Sequence, residues 1–153
     1  MTTGSVAVGE ALFGLAAVAI RRRDRTLSLT AASVLSTLER TGPRRLTDLA
    51  VSEEVTQPSM TALVTQLTDL GLAERRRDPA DARVVLVAVT NAGSQQLRAM
   101  RTASASTLTE LIGKLDDQDA EALEAALPAL LRLAELADEN QDSRTPLPKK
   151  VTR

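Results

Sequence analysis

The chain has 153 residues, with 19 Lys and Arg against 20 Asp and Glu, a formal net charge of −1, and 43% hydrophobic and 25% charged residues. That length suits one domain, or two small lobes sharing a core, and the composition is that of a soluble globular protein, which argues against wholesale disorder. The absences exclude more: without Cys there is no thiol nucleophile, disulfide or redox switch, without His the Ser-His-Asp triad and the commonest zinc ligand are missing, and Phe13 is the one aromatic residue.

The first predicted element is a helix over Ser5 to Arg23, apolar at Val8, Leu12, Leu15, Val18 and Ala19. Such a stretch near the N-terminus has three readings: a buried helix, a membrane anchor or a secretory signal. A signal carries its positive charge ahead of the apolar run, whereas here Arg21, Arg22, Arg23 and Arg25 follow it and Glu10 interrupts it. The run from Val6 to Ile20 is about 15 residues, against the roughly 20 of a spanning helix. The expectation is therefore a helix buried between subunits of a cytoplasmic protein, with no membrane contact. The arginines suit a helix C-terminus, where cations complement the dipole.

A second helix is predicted from about Thr30 to Arg40. Ser28 or Thr30 caps it, Val34, Leu35 and Leu38 form its core face, and Gly42-Pro43 stops it. A short helix follows over Leu46 to Glu53, marked by Leu49 and Ala50. Thr56 then reads as an N-cap, with Pro58 in the first turn, where its missing N–H costs nothing. The helix from Gln57 to about Leu70 buries Met60, Leu63, Val64 and Leu67, and Gly71 ends it.

Leu72 to Arg76 and Val84 to Val89 read as strands joined by the charged loop Arg77 to Arg83. The second strand does not alternate, so the sequence leaves its inward face unassigned. Thr90 caps a long helix to about Lys114, with Leu97, Met100, Ser104, Leu108, Leu111 and Leu115 stepping by three or four. Asp116 caps another, with Asp117 and Asp119 in its first turn and a stripe of Leu123, Leu127, Leu130, Leu131 and Ala134. Pro128, unable to donate to Glu124, kinks or restarts that helix. Residues 141–153 are polar with two prolines and are expected to be a disordered tail.

The order of the middle elements is that of a winged helix-turn-helix. One helix braces a second, whose N-terminal turns enter a DNA major groove about 12 Å wide. Opposite the apolar face of that second helix lie Gln57, Ser59, Thr61, Ala62 and Thr65. Gln pairs with adenine, and Ser or Thr bonds several base edges. On its own, the same face also fits an ordinary solvated surface. The hairpin adds Arg75, Arg76 and Arg77 on one side and Arg83 on the other, and an Arg at a loop tip suits a minor groove. Asp81 repels phosphate, so its role is internal: it accepts hydrogen bonds from a nearby Arg and fixes the loop.

From Leu46 to Thr90 and just beyond, the chain resembles the MarR (multiple antibiotic resistance regulator) family of bacterial transcription factors. The resemblance is carried by Leu49-Ala50, Val55-Thr56-Gln57-Pro58-Ser59-Met60-Thr61, Leu63-Val64, Leu67, Leu70-Gly71-Leu72 and Glu74-Arg75. It continues through Asp78-Pro79-Ala80-Asp81-Ala82-Arg83 and Val89-Thr90-Asn91-Ala92-Gly93. With its flanking helices the match covers about Val6 to Leu136. It implies a mainly α fold with a small β-hairpin wing: a winged helix-turn-helix lobe over 28–90 and a helical dimerisation lobe from 1–27 and 91–140. It also implies a homodimer that places two such units on a palindromic operator in double-stranded DNA, half-sites about 34–36 Å apart. The DNA-contacting set expected on this basis is Thr47, Thr56, Gln57, Ser59, Thr61, Ala62, Thr65, Arg75, Arg76, Arg77 and Arg83. Arg83 would probe the minor groove and Asp81 would support the wing. Family members commonly repress nearby genes, often released by a small ligand.

Three positions depart from the pattern. Ala62 and Gln66 stand where the family commonly carries Arg, which leaves phosphate anchoring to Arg44, Arg45 and Arg75 to Arg77. Residues 40 to 90 hold seven Arg (40, 44, 45, 75, 76, 77, 83) and seven acids (48, 53, 54, 69, 74, 78, 81), which predicts modest DNA affinity. Glu54 occupies a turn position where Gly is common, with strain if its φ is positive.

No cofactor or metal is expected. Thiol-based peroxide sensing and zinc sensing are excluded, and one aromatic residue gives no support to a pocket for phenolic acids; a small lipophilic effector in an aliphatic pocket, or no effector, remains. The rival reading is a winged-helix protein-interaction module without specific DNA binding. Residues 110 to 142 would give it ten acids (110, 116, 117, 119, 121, 124, 135, 138, 139, 142) against two bases (114, 132), a surface for a basic partner. An enzyme is disfavoured, because an N-cap explains the Asp116-Asp117 pair better than catalysis does.

Overall fold

The structure, a computed structural model, describes residues 3–22 and 26–144, the last seven by their backbone alone. Its elements in chain order are α1 (Thr3–Arg22), α2 (Leu29–Thr41), β1 (Arg44–Arg45), α3 (Leu46–Ser52), α4 (Gln57–Asp69), β2 (Ala73–Arg77) and β3 (Val85–Val89). Then come α5 (Asn91–Ile112), α6 (Asp117–Ala125) and α7 (Leu127–Arg144). The expected α1 residue Arg23, and Arg25 beyond it, fall outside the described residues, as does 145–153 of the expected tail; residues 141–144 are helical.

Side-chain caps set the helix starts. Ser28 Oγ accepts from the Ala31 N–H at 3.1 Å, Thr56 Oγ1 from the Ser59 N–H at 3.4 Å, Thr90 Oγ1 from the Gly93 N–H at 3.1 Å and Asp116 Oδ1 from the Asp119 N–H at 2.8 Å. α2 ends at Gly42 with φ 78°. Pro128 restarts the chain: α6 closes at Ala125 and α7 opens at Leu127, which puts the proline in a first turn.

The core is local to the middle of the chain. Every buried residue among those described lies between Leu27 and Leu97. Val34, Leu35 and Leu38 of α2, Leu49 and Ala50 of α3 and Met60, Val64 and Leu67 of α4 are all buried, with α3 packed on α4 and α2 on β3. Leu63, expected in that face, is only half-buried, because at 100° per residue it falls on the flank of the Met60/Val64/Leu67 stripe.

The hairpin is part of a three-stranded antiparallel sheet in the order β1-β3-β2. The register sets Arg44 against Val87 on one side and Arg75 against Val87 on the other. Val87 and Ala88, on opposite faces of this central strand, are both buried, which is why the run shows no alternation.

The chain parts into two compact units: Met1–Leu27 with Arg98–Ala126, and Ser28–Leu97 with Leu127–Arg153. In the first unit, α1 and α6 bury no residue of their own. At 20 residues and a mean hydropathy of 1.7, α1 is long and apolar enough to cross a membrane, so length does not argue against a span as the shorter apolar run did.

Candidate nucleic-acid interface

The turn between α3 and α4 is built by two backbone bonds. The Glu54 N–H donates to the Val51 carbonyl at 3.2 Å and the Val55 N–H to the Ala50 carbonyl at 3.0 Å. This double closure requires a left-handed residue at its centre. Glu54 supplies it at φ 54°, the one non-glycine residue with positive φ among those described. The end of α4 has the same pair of bonds, Gly71 N–H to the Thr68 carbonyl and Leu72 N–H to the Leu67 carbonyl, both 2.9 Å, with Gly71 at φ 70°. α4 is thus fixed in direction at both ends.

Its outward face is polar and open. Gln57, Ser59, Thr61, Ala62 and Thr65 are all exposed, as are Thr56 at the cap and Thr47 in the first turn of α3. The Thr56 and Ser59 hydroxyls lie 2.8 Å apart. Thr61 Oγ1 donates to the Gln57 carbonyl at 2.8 Å and Thr65 Oγ1 to the Thr61 carbonyl at 2.9 Å, which spends each O–H and leaves the oxygens as acceptors. Gln57 brings both a donor and an acceptor to the start of the helix.

The arginines divide by strand alternation. Arg75 and Arg77 share one face of β2 and Arg76 takes the other. Arg75 Nη2 donates to Thr65 Oγ1 at 3.1 Å, which ties the sheet to α4. Arg76 pairs with Glu74 on its own face. Arg44, expected among the phosphate anchors, is partly buried: its Nε donates to Thr41 Oγ1 at 3.0 Å and its Nη1 is buried with no partner. It braces the end of α2 instead. Arg45, beside it on β1, is exposed.

Asp81 organises the loop between β2 and β3. Its Oδ1 accepts from the Arg83 backbone N–H at 3.0 Å and its carbonyl from the Val84 N–H at 2.9 Å. The donor from Arg83 is therefore its amide, and the Arg83 side chain is exposed at the turn. Asp78 acts alike one step earlier, with Oδ1 accepting from the Ala80 N–H at 2.8 Å.

The structure thus gathers Gln57, Ser59, Thr61, Ala62, Thr65 and Arg75 on and beside α4. It sets Thr47 and Gln57 together with Glu54 around an open depression whose other walls are Ala50, Val51 and Val55. The sequence reading did not foresee β1 or the depression. Val51, 62% exposed on the same helix as the exposed Thr47, lines the depression. No group of His, Cys, Asp and Glu among the described residues is arranged to hold a metal ion.

Residues 27–85 match the model of the MarR family. An HTH-type transcriptional regulator of Mycobacterium tuberculosis is 33% identical over 115 residues, 75% of this chain and 80% of that protein. Among solved structures, a transcriptional regulator from Thermotoga maritima superposes with a TM-score of 0.71 at 20% identity, over 88% of this chain and 96% of that one. A Staphylococcus aureus MepR variant bound to an oligodeoxyribonucleotide gives 0.63 at 18% identity, over 88% and 99%.

Proposed function

The chain belongs to the MarR family of transcriptional regulators, and from that premise we propose that it is a homodimeric, sequence-specific repressor binding a palindromic operator in duplex DNA. Its relatives are regulators and not enzymes. The observation that carries the DNA reading is the open polar face of α4, capped by Thr56 and latched by Arg75. Gln57, Ser59, Thr61 and Thr65, with Ala62 for a thymine methyl, meet base edges in the major groove. Thr47 and Thr56 contact the backbone, where hydroxyls and helix N-termini serve. Arg75, Arg76 and Arg77 supply positive charge, and Arg83, on the turn shaped by Asp81, enters the minor groove. The solved MepR variant carries an oligonucleotide on the same fold, which agrees with this reading.

The dimer rests on unspent apolar surface. None of the described residues in 3–22 or 98–137 is buried, while Val6, Val8, Phe13, Leu15, Ile112 and Leu115 are exposed. Burying such a side chain stabilises by about 1.5–3 kcal/mol, and long helices with no buried face do not persist alone in water. A second copy that covers α1 and the trailing helices supplies the missing face. On this reading 28–90 forms the DNA-binding lobe, 1–27 with 91–140 forms the dimerisation lobe, and α1 serves a cytoplasmic protein. A small lipophilic ligand held among the aliphatic side chains would release the DNA. Footprinting on the region upstream of the gene tests the proposal: protection of a palindrome supports it, and uniform cleavage contradicts it.

A further inference from the structure

Resting on the DNA-binding reading above, we infer that the Glu54 carboxylate sets the affinity for DNA by repelling phosphate at the depression between α3 and α4. The residue is costly where it stands. Its φ of 54° lies in the left-handed region, and the two other positive-φ positions among the described residues, Gly42 and Gly71, both end helices and both carry Gly. Packing does not explain it, since the side chain is exposed and among the described residues its carboxylate makes no hydrogen bond or ion pair. Strain retained without a packing return points to function.

Its position says which function. Glu54 shares the depression with Thr47 and Gln57, both in the expected DNA-contacting set. Gln57 opens α4, and the positive dipole of a helix N-terminus draws phosphate, even with the Ser59 N–H capped by Thr56 and none on Pro58. A carboxylate three residues upstream opposes that attraction. It is also one of the seven acids that balance seven Arg over residues 40 to 90, and with Glu39 added the 28–90 lobe has no surplus positive charge for a general grip on DNA. In water one such charge changes affinity about three-fold for each phosphate within about 6 Å, and salt screens the effect.

The test compares wild type with Glu54→Gln and Glu54→Gly, and with Asp69→Asn as a charge control. Asp69 ends α4, about 18 Å along the helix from Gln57 and beyond the Debye length of about 10 Å. Affinities for a random duplex are measured between about 50 and about 200 mM salt, alongside thermal melts. Both Glu54 variants are expected to bind about three- to ten-fold tighter at the low salt, with a gain that shrinks as salt rises. Asp69→Asn should stay within about two-fold. Only Glu54→Gly should also melt higher, which separates strain from charge. Glu54→Gln binding no tighter than wild type overturns the inference while leaving the regulator intact. Absence of DNA binding in wild type and variants overturns both.

Discussion

Arg75 on β2 reaches across to Thr65 on α4, its Nη2 donating to Thr65 Oγ1 at 3.1 Å. The bond joins the wing's sheet to the helix that faces the groove. It orients a guanidinium beside that helix and engages one lone pair of the Thr65 oxygen, whose O–H already goes to the Thr61 carbonyl. Thr65→Val should therefore cost little stability, about 1 kcal/mol or less at this exposed site, yet weaken operator binding severalfold. A double-mutant cycle with Arg75→Gln should be non-additive, and strictly additive effects would show that the two residues act separately.

Gly93 lies against the turn that ends α4. A Cβ there would stand 2.1 Å from the Leu72 carbonyl oxygen, which already accepts the Thr90 N–H at 3.1 Å. The Thr90 hydroxyl also donates to the Gly71 carbonyl at 2.6 Å. Gly93→Ala must push α5 off this joint and is expected to lose at least about 2 kcal/mol in denaturant unfolding. A loss under about 0.5 kcal/mol would mean that the joint yields freely.

Phe13 is 78% exposed on a helix with no buried residue. If a second copy covers α1, Phe13→Glu should raise the dimer dissociation constant about 100-fold or more by sedimentation velocity. An unchanged constant would place the interface elsewhere.

Arg83→Ala should weaken operator binding about ten-fold and lower the slope of log K against log salt by about one. Asp81→Ala, which removes the acceptor for the Arg83 N–H, should reproduce much of that loss with the charge still present. Full affinity in both would remove the wing from the interface.

Much of this was legible in the residues. Ser28, Thr56, Thr90 and Asp116 announced their helices because a capping side chain acts within three residues, and local chemistry survives tertiary context. Pro128 marked a break for the same reason. β1 was not legible, since Arg44 and Arg45 carry no strand preference and pair with β3 only because the fold brings them there. The inward face of β3 was hidden by burial on both sides. The sequence counted Arg44 as an anchor by its charge, but its bond to Thr41 turns it inward. Strain at Glu54 was visible as a Gly position filled by another residue, whereas the depression it lines depends on how α3 meets α4.

Selection of duplexes from a random library by the full-length protein tests the central claim most directly. The account predicts enrichment of a two-fold symmetric sequence whose half-sites lie about 34–36 Å apart, one turn of DNA. Recovery of no sequence above background, by protein whose melting shows it folded, would contradict it.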